Sequence, residues 1–167
     1  MYDELTQVDI DKMREEIRYR TSVLDPQLKE MLQTARELGD LSENDEYKTA
    51  KRELGKNRSR IRYLENMIAT AKVIEVSSTA DTVGLFDFVE IYYEMTKETR
   101  TVRIVTTLRN DVLNDCISKE APVGKALLGK RVGDRVTVTV NERVSYTVEI
   151  RSIKKGEDDD SLPISSY

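Results

Sequence analysis

The sequence contains no histidine and no tryptophan, and a single cysteine, Cys116, among its 167 residues. Without histidine, and with only one thiol, the usual general bases, paired nucleophiles and zinc ligands of enzymes are missing. Carboxylates or basic side chains would therefore have to carry any chemistry. One cysteine also excludes an intrachain disulfide and fits a reducing compartment, so we expect a cytoplasmic protein.

Long apolar runs are missing as well. No apolar stretch approaches the length of a membrane span. The start, Met1-Tyr2-Asp3-Glu4, lacks the basic and apolar regions of a secretion signal. Charged residues make up 35% of the chain and the net charge is −4, so any nucleic-acid-binding surface must be local. This composition favours a long exposed helical element joined to a modest globular part.

The first half of the chain carries apolar residues at the three- and four-residue steps of a coiled coil. The first run comprises Ile10, Met13, Ile17, Leu24, Leu28, Met31, Ala35 and Leu38. The second comprises Tyr47, Ala50, Leu54, Asn57, Ile61, Leu64, Ile68 and Ala71. A slip in the spacing near Thr21, just before Pro26, predicts a kink or stutter.

The two runs match as an antiparallel pair when the chain is folded about residues 42 and 43. This register places Ala35 beside Ala50, Met31 beside Leu54, and Leu28 beside the polar residue Asn57. The pattern therefore predicts a helical hairpin whose arms, of roughly 30 residues each, are about 45 Å long.

Carboxylates crowd the connection between the two arms, at Asp40, Glu43, Asp45 and Glu46, after a glycine suited to end the first helix. Asp40 and Glu43 have the spacing of a capping box, and on the residues alone capping is the favoured interpretation. However, Mg²⁺ sites often use one or two protein carboxylates, so the pair could also be part of a metal site that a second protein completes.

The second arm is strongly basic. From residue 47 to residue 72 it holds two acids, Glu53 and Glu65, and eight bases: Lys48, Lys51, Arg52, Lys56, Arg58, Arg60, Arg62 and Lys72. These side chains could form a solvated exterior, partly paired with acids of the first arm. They could equally contact phosphates beside the acidic tip.

The second half of the chain has the alternating pattern of strands. Segments around Val89–Tyr93, Val102–Thr106, Val136–Val140 and Val144–Ile150 predict strands, and Pro122–Leu128 predicts a short helix. We expect an α+β protein with an antiparallel coiled-coil hairpin in residues 1–76 and a small β-rich domain in residues 77–155. The acidic tail, residues 156–167, is expected to be disordered.

Two stretches resemble motifs of the Gre family of transcript-cleavage factors. The first is Ala35-Arg36-Glu37-Leu38-Gly39-Asp40-Leu41-Ser42-Glu43-Asn44, followed by Glu46-Tyr47 and Ala50-Lys51. The second is Ile117-Ser118, then Pro122-Val123-Gly124-Lys125-Ala126-Leu127-Leu128-Gly129-Lys130 with Gly133-Asp134. Both occur in the family's order on a matching hairpin, and the resemblance extends from about residue 6 to residue 153.

The resemblance implies a transcription elongation factor that is not itself an enzyme. Gre factors dock on bacterial RNA polymerase through a C-terminal domain with an FKBP-like fold and insert their hairpin into the secondary channel. There they stimulate the polymerase's intrinsic cleavage of backtracked RNA. The family's key acids fall on Asp40 and Glu43, which implies a catalytic role and Mg²⁺ ligation shared with the polymerase. Function thereby becomes the favoured interpretation of these acids, and capping remains compatible with it.

The resemblance also implies partners and further sites. The basic arm would lie along the extruded RNA near its 3′ end, with Arg52, Lys56 and Arg60 as candidate contacts. The residues Glu120, Ala121 and Pro122 match the family's polymerase-docking loop. We expect a monomer with no membrane partner, and Mg²⁺ only in the complex with RNA polymerase.

The sequence departs from the family's pattern at Asp45, at Ala121 and in the stretch 105–110, which lacks the Gly and Glu-Ala residues typical of the family. Asp45 replaces a common alanine, and extra tip acids also occur in related factors that occupy the same channel as inhibitors, which is the alternative function. Ala121 replaces a common serine, which removes a helix cap worth roughly 0.5–2 kcal/mol.

The resemblance of the C-terminal domain to FKBP also suggests a prolyl isomerase as an alternative, whose pocket is lined with aromatic side chains. This function is disfavoured, because Phe86 and Phe88 are the only phenylalanines and tryptophan is absent.

Overall fold

The computed structural model describes residues 3–39, 44–76, 79–158 and 161–166. The chain divides into two compact units: Met1–Asp3 with Ile10–Ala71, and Glu4–Asp9 with Lys72–Tyr167. The sequence predicted a boundary at residue 76. The structure differs in placing the boundary after Ala71 and in assigning Glu4–Asp9 to the second unit.

The first unit is a helical hairpin. Helix α1 spans Gln7–Tyr19, a π-helical segment spans Arg20–Leu24, α2 spans Asp25–Glu37, and α3 spans Asp45–Thr70. Helices α2 and α3 pack along each other, which confirms the predicted hairpin. Among the helices of the described residues, none has the length and apolar character that crossing a membrane requires.

The predicted stutter near Thr21 is confirmed as the π-helical segment. The backbone N–H of Asp25 donates to the carbonyl of Arg20, five residues earlier, as in a π-helix. Pro26 follows at once, and it has no N–H with which to continue the α-helical pattern. The wider turn absorbs the slip in the apolar spacing.

Half of the predicted seam positions are buried. These buried residues include Leu28, Ala35, Ala50, Leu54, Asn57 and Leu64. Three predictions were wrong. Met31 and Leu38, both expected in the seam, are 54% and 65% exposed. The side chain of Asn57 exchanges hydrogen bonds with Arg20, although the sequence placed it beside Leu28. The π-helical segment shifts the register between the two ends of the hairpin.

The second unit is β-rich. Strand β1 spans Glu4–Leu5, β2 spans Lys72–Val73, β3 spans Phe88–Tyr93, β4 spans Glu98–Val105, β5 spans Cys116–Ser118, β6 spans Arg135–Thr139 and β7 spans Ser145–Lys154. A short helix, α4, spans Pro122–Leu127. The larger sheet has the order β5-β4-β3-β7-β6. Its pairs are antiparallel except for β4 with β5, which are parallel.

The core of this unit lies on one face of the sheet. Val89 and Ile91 of β3 point into it, as the alternating pattern predicted, together with Ile104 of β4 and Ile150 of β7. Leu127 of α4 belongs to the same buried cluster. The predicted α+β fold, with a helical hairpin and a β-rich domain, is confirmed.

The segment Glu4–Asp9, which the sequence left outside this unit, is bound to it by a strand pairing and by a buried ion pair. Strand β1 pairs in parallel with β2. The carboxylate of Asp9 lies 2.7 Å from the guanidinium of Arg109, and both side chains are buried.

The tail was expected to be disordered, and its described residues contradict this. Arg109 forms an ion pair with Asp158, and Arg103 donates to the carbonyl of Glu157 at 2.8 Å. The N–H of Gly156 donates to Asp87 at 3.0 Å. The physical reason is that buried guanidinium groups require acceptors, and the tail supplies them.

Candidate functional site

The tip of the hairpin follows a glycine in an unusual conformation. Gly39 comes two residues after α2 and has a φ of 135°, which residues with a Cβ rarely adopt. The glycine therefore ends the first arm, as the sequence predicted. Asp40 and Glu43, the predicted site acids, follow it and lie outside the described residues, and Asn44 is the first described residue beyond them.

Asn44 caps the second arm and ties it to the first. Its side-chain oxygen accepts a hydrogen bond from the N–H of Tyr47 at 3.1 Å, and its side-chain nitrogen donates to the carbonyl of Ala35 at 2.6 Å. A capping box would have required Asp40 as the cap and Glu43 in the first turn. That interpretation is wrong for α3, since Asn44 is its N-cap.

Two further acids lie in the described part of the tip. Asp45 and Glu46 form the start of α3, where negative charge complements the helix dipole. Asp45 is the acid that departs from the family's pattern, and its place in the first turn gives it a local structural role.

Two of the three predicted RNA contacts are open to solvent. Arg52 is exposed, and the Lys56 side chain is 68% exposed, with its ammonium 3.5 Å from Glu53. An ion pair this exposed contributes little, typically about 0–1 kcal/mol, and does not prevent Lys56 from binding a phosphate.

The third predicted RNA contact, Arg60, is buried, so this prediction is corrected. Only 6% of the residue is exposed. Its guanidinium Nε lies 2.7 Å from one carboxylate oxygen of Glu16, and Nη2 lies 3.3 Å from the other. Arg60 therefore holds the two arms together and does not face a phosphate.

Arg60 belongs to a group of polar residues that we call the base network: Glu16, Arg20, Asn57 and Arg60. Arg20 donates to Glu16 at 2.8 Å and to the Asn57 oxygen at 2.9 Å, while Asn57 donates to the Arg20 carbonyl at 3.1 Å. Burial alone would raise the pKa of Glu16, but hydrogen bonds from Arg60 and Arg20 outweigh it and lower the pKa below 4.5.

A signal for the base network was present in the sequence. Arg60 follows Asn57 by three residues and precedes Leu64 by four, which places it on the apolar seam. Glu16 and Arg20 have the four-residue spacing of an ion pair on one helix face. Counting basic residues along α3 without assigning each to a face concealed this distinction.

The predicted docking loop precedes α4. Ala121 occupies the N-cap position and makes no side-chain hydrogen bond there, as its replacement of serine predicted. Ser118 stabilises the loop instead, because its carbonyl accepts from the N–H of Ala121 at 3.0 Å and its hydroxyl accepts from the N–H of Glu120 at 3.1 Å. Glu120, which is 3.7 Å from Lys125, keeps about half of its side chain exposed.

The loop also depends on a glycine in α4. A Cβ on Gly124 would lie 2.2 Å from the carbonyl oxygen of Ser118, so this position admits no side chain without a shift of the backbone. Loop and helix are therefore packed directly against each other, and Pro122 begins α4 at a position where its missing N–H costs nothing.

A coiled-coil hairpin and a small sheet domain in one chain define a class of two-domain α+β proteins, and sequence comparison specifies the family. Residues 4–73 match the family described as transcription elongation factor, N-terminal, and residues 78–155 match the family described as transcription elongation factor, GreA/GreB, C-term. The chain belongs to the GreA/GreB family of transcription elongation factors. This confirms the family that the two sequence motifs indicated.

Similar proteins span nearly the same length. Transcription elongation factor GreA of Mesoplasma florum is 39% identical over 150 residues, which cover 89% of this chain and 96% of that protein. GreA of Thermoanaerobacter pseudethanolicus is 42% identical over 137 residues, covering 81% and 87%. Among solved structures, GreA factor homolog 1 (Gfh1) of Thermus thermophilus is 24% identical with a TM-score of 0.43, covering 93% and 100%.

Proposed function

We propose that this elongation factor binds bacterial RNA polymerase, enters the secondary channel with its hairpin tip, and stimulates the polymerase's own cleavage of backtracked RNA. One observation carries the proposal beyond the family assignment. Asn44 is the N-cap of α3, so Asp40 and Glu43 are not needed to begin that helix. On this proposal the two carboxylates serve the active site of another protein.

The chemistry of the two acids suits a shared Mg²⁺ ion. Mg²⁺ prefers oxygen ligands and often takes only one or two protein carboxylates, with waters and phosphates completing its shell. Asp40 and Glu43 would supply those ligands in the complex and orient the attacking water, and the polymerase would supply the rest. When bound, such an ion activates water and stabilises the leaving oxygen in phosphodiester hydrolysis. The factor alone is not an enzyme on this proposal.

The exposed bases of α3 extend the proposal to the RNA. Arg52 and Lys56 lie one helical turn apart, so their charges fall on the same side of the arm. Both can neutralise phosphates of the nascent RNA near its extruded 3′ end. Arg60 is not part of this contact, because it is committed to Glu16.

Docking on the polymerase is assigned to the loop Glu120, Ala121 and Pro122. The loop has a defined shape, held by Ser118 and packed on α4, which lowers the entropic cost of binding. We propose that a single copy of the chain acts on each polymerase, in the bacterial cytoplasm where transcription takes place.

The proposal is tested with RNA in three states: free, in an active elongation complex, and in a backtracked complex. We expect this protein with Mg²⁺ to leave free RNA intact, because its tip supplies only part of a metal site. Cleavage should increase only in the backtracked complex. The measurement is the rate at which the 3′ fragment is released, with and without the factor. Hydrolysis of free RNA by preparations cleared of nuclease would contradict it.

The same assay examines the alternative function, a factor that occupies the channel and inhibits transcription. Asp45 favours this alternative, because it adds a carboxylate in the first turn of α3. An inhibitor would slow nucleotide addition in the active complex without increasing cleavage in the backtracked one. Replacing Asp45 with alanine would then restore cleavage, whereas in a cleavage factor it should change little.

A further inference from the structure

A groove of about 720 Å³ opens on the side of the hairpin, at the end that adjoins residues 40–43 in the chain. We call it the tip groove. Its described lining includes Met31 and Ala35 of α2 and Ala50 of α3. The acids Glu30, Asp45 and Glu46 also line the groove.

Small residues line the tip groove where the two arms meet. Ala35 and Ala50 are both buried, and their methyl side chains leave room above them. Met31 has the spacing of a seam residue but is 54% exposed, so a large apolar side chain lies at the surface without being covered by the hairpin. Methionine is flexible and polarisable, and it is frequent where a protein surface binds another protein.

Charge limits what can occupy the tip groove. The charged residues among its described lining are Glu30, Asp45 and Glu46, and no lysine or arginine is among them. Three acids repel phosphate, so the extruded RNA is a poor occupant, in contrast to the arm surface near Arg52. An apolar side chain flanked by positive charge is complementary to both the methionine and the acids.

We propose that the tip groove binds a segment of RNA polymerase in which an apolar side chain is flanked by lysine or arginine, within the channel that the hairpin enters. This inference rests on the proposed function, because that function brings the end of the hairpin inside the polymerase. The groove then adds affinity and fixes the approach of the tip, while Asp40 and Glu43 serve the reaction.

The test reduces the apolar and acidic character of the tip groove and leaves Asp40 and Glu43 unchanged. The groove variant carries Met31→Ser, Glu30→Gln and Glu46→Gln. The matched control carries Tyr19→Ser, Glu15→Gln and Glu65→Gln, which lose the same charge and an apolar residue with the same exposed fraction of 54% outside the groove. A third protein, Thr34→Lys, introduces a positive charge into the groove lining.

Affinity for backtracked polymerase complexes is measured over a series of salt concentrations, together with cleavage at saturating factor. We expect the groove variant to bind about tenfold more weakly, with a shallower dependence on salt, and to cleave normally at saturation. Thr34→Lys should also weaken binding, and the control should match wild type. Thermal melting by circular dichroism verifies that each protein is folded, and Thr34→Lys gives a second readout should the triple variant unfold.

The results separate the two proposals. If wild type stimulates cleavage and both groove proteins bind like wild type at every salt concentration, the groove inference is overturned while the proposed function stands. If wild type neither binds polymerase nor stimulates cleavage, both are overturned. If wild type instead forms a dimer that the groove variant does not, the occupant is a second copy of this chain, and the polymerase segment is excluded.

Discussion

Two levels of the hairpin are held together by different kinds of interaction. At the middle of α3, the base network joins the arms through charged and amide groups that are largely buried. Near the tip, the arms meet through two alanines, Ala35 and Ala50, and through the side chain of Asn44. Hydrogen bonds of charged and amide groups therefore predominate at one level, and small apolar side chains predominate at the other.

This difference means that one part of the hairpin sets the register of the two arms, and another part carries the functional residues. A buried polar group in a coiled coil stabilises the register that satisfies it and destabilises others, because a slip leaves it unpaired. Because the base network sets the register, the end near the tip does not need a tightly packed seam. It can leave Met31 exposed and keep acids near the tip without losing the alignment of the arms.

The largest effect is expected from neutralising the tip acids. Asp40→Asn with Glu43→Gln keeps side-chain oxygens but removes the charge that binds Mg²⁺. Because Asn44 caps α3, we expect an unchanged melting temperature and unchanged polymerase binding. Stimulated cleavage should fall by about 10- to 100-fold, as when groups that support a metal site are removed, and added Mg²⁺ should partly restore it.

A control for this change is Asp45→Asn, which neutralises one acid at the position directly beyond the cap. It should leave most of the cleavage intact. Normal stimulation by the double variant would show that the tip acids have no part in catalysis, and a lowered melting temperature would assign them to the fold. Either result would remove the functional contrast between the two levels of the hairpin.

A second, smaller effect distinguishes basic residues that have the same charge but different surroundings. Arg60→Ala leaves Glu16 without its partner from the other arm, and we expect the free energy of unfolding to fall by about 2 kcal/mol. Arg52→Ala with Lys56→Ala should not change stability. It should weaken stimulation several-fold on complexes with long extruded RNA, and each lost phosphate contact should lower the salt slope by about 1.

Urea unfolding and a series of backtracked complexes with increasing RNA extrusion measure these outcomes. Lys48→Ala with Lys51→Ala provides the control of equal charge loss among other exposed bases of α3. Equal stability of Arg60→Ala and wild type would contradict the structural role of the base network. If stimulated cleavage depends on RNA length in the same way in wild type and in the Arg52→Ala, Lys56→Ala variant, Arg52 and Lys56 are excluded as RNA contacts.

The general form of the hairpin could be predicted from sequence, because apolar spacing alone determines which face of each helix is buried. The stutter near Thr21 was visible for the same reason. The register around the base network could not be predicted, because it depends on a π-helical turn that no residue type in the sequence marks. The burial of Arg60 was missed because a charged residue is normally assigned to the surface, and its partner Glu16 lies 44 residues away in sequence.

The sheet domain shows the same division. Alternating strands and the proline that begins α4 are local signals, so β3, β4, β6, β7 and α4 were predicted. Strands β1, β2 and β5 have two or three residues each, which is too short for a pattern to be recognised. The tail was mispredicted because its acidic composition by itself indicates disorder. An acidic segment can be ordered when a buried basic residue binds it, and here Arg109 binds Asp158. The burial of Arg109 cannot be identified from its neighbours in the sequence.

The smallest effect concerns pH and isolates the carboxylate of the base network. The pKa of Glu16 is lowered in the folded state, since hydrogen bonds from Arg60 and Arg20 outweigh the opposing effect of burial. A lowered folded-state pKa means that Glu16 stabilises the fold above its ordinary pKa of 4.5 and loses that contribution as the pH falls through the lower folded value. Other paired acids, Asp25 among them, contribute in the same direction, so wild type alone does not isolate Glu16.

The comparison is therefore between wild type and Glu16→Gln, unfolded by urea at pH 6 and again below pH 4. Glutamine keeps an acceptor for Arg60 and Arg20 but cannot titrate, so the variant should be less stable than wild type at pH 6. Below pH 4 the difference should narrow, because protonated Glu16 and glutamine both lack the negative charge. If the difference stays constant as the pH falls, the charge of Glu16 contributes nothing, and the base network is held by hydrogen-bond geometry alone.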